Sequence, residues 1–223
     1  MIYELLRMSA NFFFGFSFIL LVPTAVSFYY EFYGAANHPQ PHVTNSFLIT
    51  AGIVFCLGLI SHFIGKKGKG FFYKREGIAF VVLIWFITPF LGSLPFTLSG
   101  TLDSHLQAYF EAVSGFTTTG STILHAKSFN KLGDEIKIEK TVPGVIDTRY
   151  AFYGTVNPVR DEQGKIILEG IEAVPKALLF WRSFMQWLGG VGVVVLLISI
   201  LTALGVGGKV LFKSEVPGPV KEG

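Results

Sequence analysis

Asp, Glu, Lys and Arg are absent from four long stretches of the chain, residues 8–30, 32–65, 77–102 and 183–208. A bilayer core about 30 Å thick is crossed by roughly 20 mostly apolar residues at 1.5 Å rise per residue, so each stretch is long enough to span. Apolar runs, read against Gly and Pro breakers, predict helices over 11–30, 46–65, 77–98 and 182–204. Pro23 and Pro89 fall inside the first and third and predict kinks there. The first run is longer than the apolar region of a secretory signal, and only Arg7 precedes it as a cation, so it reads as a retained helix.

The polar segments orient this bundle. Arg7 precedes the first helix, Lys66, Lys67, Lys69, Lys74 and Arg75 lie between the second and third, and Lys209, Lys213 and Lys221 follow the fourth. The positive-inside rule then puts both termini in the cytoplasm and the long segment 99–181 outside. Within that segment, residues 104–116 (SHLQAYFEAVSGF) read as a short helix, with Ser104 and Gln107 spaced as a capping box. Leu106, Tyr109, Phe110 and Val113 give it an apolar side. At about 20 Å it is too short to cross and too apolar to float free. A half-inserted helix followed by a polar loop fits, because irregular backbone at membrane depth is tolerated where protein buries it or where it lines a water-filled cavity.

The loop is Thr117, Thr118, Thr119, Gly120, Ser121 and Thr122. Consecutive carbonyls and hydroxyls can replace the water around a cation without a titratable charge. Gly120 permits backbone angles closed to other residues, and the C-terminal dipole of the short helix would face the ion. From spacing alone, a Thr-rich turn after an external amphipathic helix accounts for the same residues equally well. Glu111, on the short helix, either adds negative potential near a pore mouth or bonds to neighbouring backbone.

Four blocks carry a resemblance: residues 75–98, 108–122 (AYFEAVSGFTTTGST), 175–201 (PKALLFWRSFMQWLGGVGVVVLLISIL) and 211–219 (LFKSEVPGP). In this order the chain resembles the Trk/Ktr/HKT potassium transporters, most closely their TrkH-like membrane subunits. The resemblance implies an all-α integral membrane fold with four transmembrane helices, a re-entrant pore helix and filter loop, and here a small β-rich external insertion. Residues 1–70 would be two leading helices and 71–223 the first of four helix, pore-loop, helix repeats around one pore. Thr118, Thr119 and Gly120 match the family's potassium-coordinating positions, with Thr117, Ser121, Thr122 and Glu111 supporting the loop. Glycine at this position goes with potassium rather than sodium permeation in the family.

The implied function is potassium uptake across a bacterial inner membrane, with potassium as transported substrate and no cofactor. The implied partners are the remaining repeats, on the same or a second polypeptide, a second copy of the complete transporter, and a cytoplasmic nucleotide-binding regulator of the TrkA or KtrA type. Two departures stand out. Residues 123–174 replace what is a short link in the family; there EIKIEKTV (135–142) alternates as a strand does, and 150–159 and 165–171, flanking a turn at 161–164, predict a hairpin. A tolerated surface addition is the plainer reading of this insertion, a cap over the pore mouth or a contact to an external partner the other. The chain also stops at Gly223 after one repeat, and a single filter strand cannot enclose an ion. A truncated or split gene is expected ahead of a homotetrameric channel, and a non-conducting fragment is the alternative.

Composition narrows the field further. At 51% hydrophobic and 15% charged residues the chain is far from an average soluble domain, which carries about 25% charged. A net charge of +3 is too weak and scattered for nucleic acid, and Cys56 alone cannot make a disulfide within the chain. No intramembrane nucleophile, ionisable pair or metal-ligand motif points to an enzyme. Gly189, Gly190 and Gly192 read as close helix contacts rather than a nucleotide loop. Arg182 reads as an interfacial anchor first and a tuner of the outer vestibule second. His38 and His42 are a weak metal pair, because Pro39 and Pro41 keep them off a helix.

Overall fold

The computed structural model describes residues 2–33, 43–68, 74–130, 133–143 and 147–203. His38, His42, Lys209, Lys213, Lys221 and the 211–219 block lie outside these residues. Among the described residues, six α-helices carry the architecture: α1 (Ile2–Ile19), α2 (Leu21–Phe32), α3 (Thr44–Gly65), α4 (Lys74–Leu98), α5 (His105–Phe116) and α6 (Lys176–Ala203). Among the described residues, three helical stretches are long and apolar enough to cross a membrane: Ile2–Phe32, Thr44–Gly65 and Gly77–Leu98. The fourth expected crossing is α6, whose 28 residues start six positions before the sequence boundary, at Lys176.

The first helix also starts earlier than expected, so Arg7 is inside it rather than ahead of it. A charge ends an apolar window but does not end a helix. Here Glu4 and Arg7 are placed against the end of α3, where a Cβ on Gly65 would sit 2.8 Å from the Arg7 amide nitrogen and one on Gly68 2.9 Å from the Glu4 carboxylate. The expected interruption by Pro23 is present as a turn at Leu20 that separates α1 from α2. Proline has no N–H to offer the Ile19 carbonyl four residues back, and at the next position Leu20 O accepts from both the Thr24 amide at 3.2 Å and the Thr24 hydroxyl at 2.7 Å. In contrast, α4 continues through both Pro89 and Pro95. Its last turns are stitched by hydroxyls, Ser93 to Phe90 O at 2.7 Å and Thr97 to Leu94 O at 3.1 Å.

The core is organised around Trp181. This fully buried ring lies 6.2–6.3 Å from Phe16 of α1, Phe47 of α3 and Phe116 of α5. Its indole N–H donates to Gly92 O of α4 at 2.9 Å, so one side chain joins five helices. Away from this core the large apolar side chains face outward, Phe18, Phe63, Phe86 and Phe90 among them. Such a surface is costly in water and ordinary in lipid.

Among the described residues of 123–174, three antiparallel strand pairs form, β1 (Ser128–Phe129) with β2 (Glu135–Ile136), β3 (Ile138–Val142) with β4 (Thr148–Phe152), and β5 (Val159–Arg160) with β6 (Ile166–Leu168). The expected hairpin around 161–164 is the last of these, whereas 150–159 is not one continuous strand. The hairpin arms are exposed, but the base of the segment is built into the helical core through Leu124, Val156, Ala173 and Val174. A junction at the surface joins the two: Asp103, just before α5, accepts from Lys127 Nζ at 2.6 Å and from Asn157 at 3.1 Å.

The Lys127 hydrogen bond is the main cause that holds the Asp103 carboxyl below its ordinary value; partial burial opposes it, and the Lys127 charge and the Asn157 bond assist. A carboxyl with a lowered folded-state value contributes stability above the ordinary carboxylate range and loses it as pH falls through that lowered value. This junction is therefore expected to loosen in acid. Amide-exchange protection at Lys127 and Asn157, corrected for intrinsic rates, should fall between neutral pH and about pH 3, and Asp103→Asn should flatten that dependence.

Candidate functional site

The short helix α5 sits between α4 and α6, with its small residues inward. Ala108, Glu111, Ala112, Ser114, Gly115 and, at the helix end, Phe116 are buried, while Leu106 is 80% and Phe110 46% exposed. The apolar side made by Leu106, Tyr109, Phe110 and Val113 is not the packed one: Tyr109 and Val113 are half-buried there. Between helices surrounded by lipid, close backbone approach rather than escape from water drives packing, and small residues allow it. The expected capping box is not formed either: Ser104 occupies the N-cap position, but its side chain makes no capping bond.

The contact that sets the depth of α5 is at Gly189. A Cβ there would lie 2.1 Å from Phe116 O, a backbone atom that cannot step aside, so α6 can touch the end of α5 only through glycine. Gly190 and Gly192 have no such neighbour; a Cβ on Gly190 comes no nearer than 4.0 Å to Thr118.

Beyond Phe116 the chain turns back over the helix end. The amides of Thr117, Thr118 and Thr119 donate to Val113 O, Gly115 O and Ser114 O at 2.8, 3.0 and 3.1 Å, and Gly120 N reaches Ser114 O at 3.5 Å. The carbonyls of Val113, Ser114 and Gly115 are thus occupied by loop amides, and this end of α5 carries the negative end of the helix dipole. A trans peptide points its C=O opposite to its N–H. With the amides of residues 118–120 turned toward the helix, the carbonyls of Thr117, Thr118 and Thr119 point away from it, into the open. Residues 117–122 are exposed. This turn needs left-handed backbone at Gly120 (φ 73°), as its glycine suggested, and also at Thr118 (φ 57°). Nothing in the sequence signals the second, because a β-branched residue there costs on the order of 1–3 kcal/mol.

Behind the loop lies a bonded network. Glu111 is fully buried and accepts from the Thr122 hydroxyl at 3.1 and 3.2 Å, from Ile123 N at 3.1 Å, and from Arg182 Nε. Arg182 also extends toward Gly120 O at 3.4 Å and Ser121 O at 3.5 Å, while Ser114 Oγ donates to Ser121 O at 2.6 Å. Glu111 thus bonds to its neighbours, the Ile123 backbone amide among them. Arg182 is not a snorkelling anchor: it sits two turns into α6 and compensates a buried carboxylate. Sequence spacing could not find this pair, since 71 positions separate its members. Among the described residues, no cluster of His, Cys, Asp and Glu has the makings of a metal site.

No family model matches the sequence. The Trk system potassium uptake protein TrkH of Vibrio parahaemolyticus is 32% identical over 208 residues, covering 93% of this chain and 32% of that protein. The protein of the same name from Escherichia coli K12 is 31% identical over 178 residues, 79% of this chain and 28% of that protein. The crystal structure of the potassium transporter TrkH from Vibrio parahaemolyticus superposes with a TM-score of 0.60 at 26% identity, over 92% of this chain and 33% of that one. The chain spans about a third of the length of the curated relatives it matches.

Removing one partner of a buried ion pair strands the other, at a cost of about 3–5 kcal/mol. Arg182→Ala should therefore lower the thermal unfolding midpoint in detergent markedly. Glu111→Gln, whose neutral amide oxygen can still accept from Thr122 and Ile123, should lower it less. Gly189→Ala should also destabilise, by forcing α5 and α6 apart.

Proposed function

We propose that this chain, a member of the Trk potassium transporter family, takes part in potassium uptake across the cell membrane, with residues 117–122 supplying one quarter of a selectivity filter. The observation that carries the reading is the loop after α5, whose amides bond to the helix end and so turn the Thr117, Thr118 and Thr119 carbonyls away from it. Potassium sheds its water against such oxygens and is held by their dipoles without a formal charge. In this reading α5 is the re-entrant pore helix, Thr118, Thr119 and Gly120 coordinate the ion, and Thr117, Ser121, Thr122 and Glu111 hold the loop.

Residues 1–70 supply two leading helices and residues 71–223 the first pore repeat, with α6 as a fourth crossing and both termini in the cytoplasm. One loop furnishes one side of a coordination shell, so three more come from further repeats on the same or a second polypeptide. The completed transporter pairs with a second copy and meets a TrkA- or KtrA-type nucleotide-binding regulator at the cytoplasmic face of a bacterial inner membrane. The insertion 123–174 stands at the outer face.

Gly120→Ser tests the reading. A side chain at a left-handed position moves the loop oxygens and should raise sodium relative to potassium permeability in a conducting assembly containing this chain, seen as a shifted reversal potential. An unchanged ratio in a conducting variant contradicts the filter assignment.

A further inference from the structure

We infer that Thr155, at the base of the external insertion, is a positioning residue for the 117–122 loop, so that ion discrimination depends on the insertion. The inference rests on the filter reading above. Its basis is the way the chain leaves the loop. Ile123, the first residue beyond Thr122, is held from both sides: its N–H donates to Glu111 Oε2 at 3.1 Å, and its carbonyl accepts from the Thr155 hydroxyl. The same hydroxyl accepts from His125 N at 3.2 Å, and His125 O accepts from Thr155 N at 2.9 Å and Val156 N at 3.0 Å. Lys127 N then donates to Val156 O at 3.2 Å, which makes 154–156 a short rail along 123–127.

The rail is not a surface attachment. Thr155 is 7% exposed and Val156 1%, and Val156 bridges to both Leu102 and Ala126. The approach at its start is too close for any side chain: a Cβ on Gly154 would lie 2.1 Å from Ala126 O. The exit from the loop is thereby tied inward to the helical carboxylate and outward to the insertion. A chain without residues 123–174 has no such outer tie. The insertion therefore does more than decorate the outer face, because displacement of its base moves Ile123, and Ile123 shares Glu111 with Thr122 and Arg182.

Two measurements test this, one of them without a variant. In the unmodified protein in detergent, the amides of Ile123, His125, Thr155 and Val156 should exchange slowly and as one group; unprotected exchange there overturns the latch whether or not the chain conducts. In the conducting assembly, Thr155→Val should lower potassium-over-sodium selectivity about tenfold, the scale of one hydrogen bond to a placed group, and Thr155→Ser should restore it. A purely structural role would lower the amount of assembled protein and total flux while leaving the ratio intact. Wild-type selectivity in assembled Thr155→Val contradicts the inference. An unmodified assembly that conducts without preferring potassium contradicts the filter reading instead, and the exchange result still decides the latch.

Discussion

A buried carboxylate has to be answered on every side, and Glu111 is answered by three residues from two distant parts of the chain. Its partners are the last residue of the loop, the first residue beyond it, and an arginine 71 positions further on. Desolvating a carboxylate and a guanidinium costs several kcal/mol each, so the pair makes a poor source of stability by itself. What it provides is uniqueness: α5, the loop exit and α6 can satisfy the charge in one relative arrangement, which is the condition for holding weak ligands in a fixed geometry.

The loop can afford a strained threonine because of that frame. Thr118 has left-handed backbone and its neighbour two positions on has it again, so the chain coils tightly enough to spend its amides on the helix end. The carbonyls then emerge on the opposite side without any side chain directing them. Gly189 makes the same arrangement possible from behind by letting α6 approach the last carbonyl of α5. Trp181, one position before Arg182, anchors the same stretch of α6 against α1, α3, α4 and α5.

The apolar segments and the loop were legible in the sequence because lipid imposes length and because Gly120 announces an unusual backbone. What was not legible follows from the same physics. Windows free of charge missed the first turns of α1, where Glu4 and Arg7 pack beside glycines at the end of α3. The apolar side of α5 was legible, but not which side packs: Leu106 and Phe110 are exposed, while Ala108, Ala112 and Gly115 meet the neighbouring helices. Arg182 looked like an anchor because its partner is remote in sequence, and Thr155 drew no attention in a stretch that read as an ordinary surface addition.

The most direct test of the account is ion density in the assembled protein. A structure determined with thallium or rubidium in place of potassium should show an ion on the exposed side of the loop, within coordination distance of the Thr118 and Thr119 carbonyls. Ion peaks elsewhere along the pathway, with those carbonyls bonded only to protein or water, would contradict it.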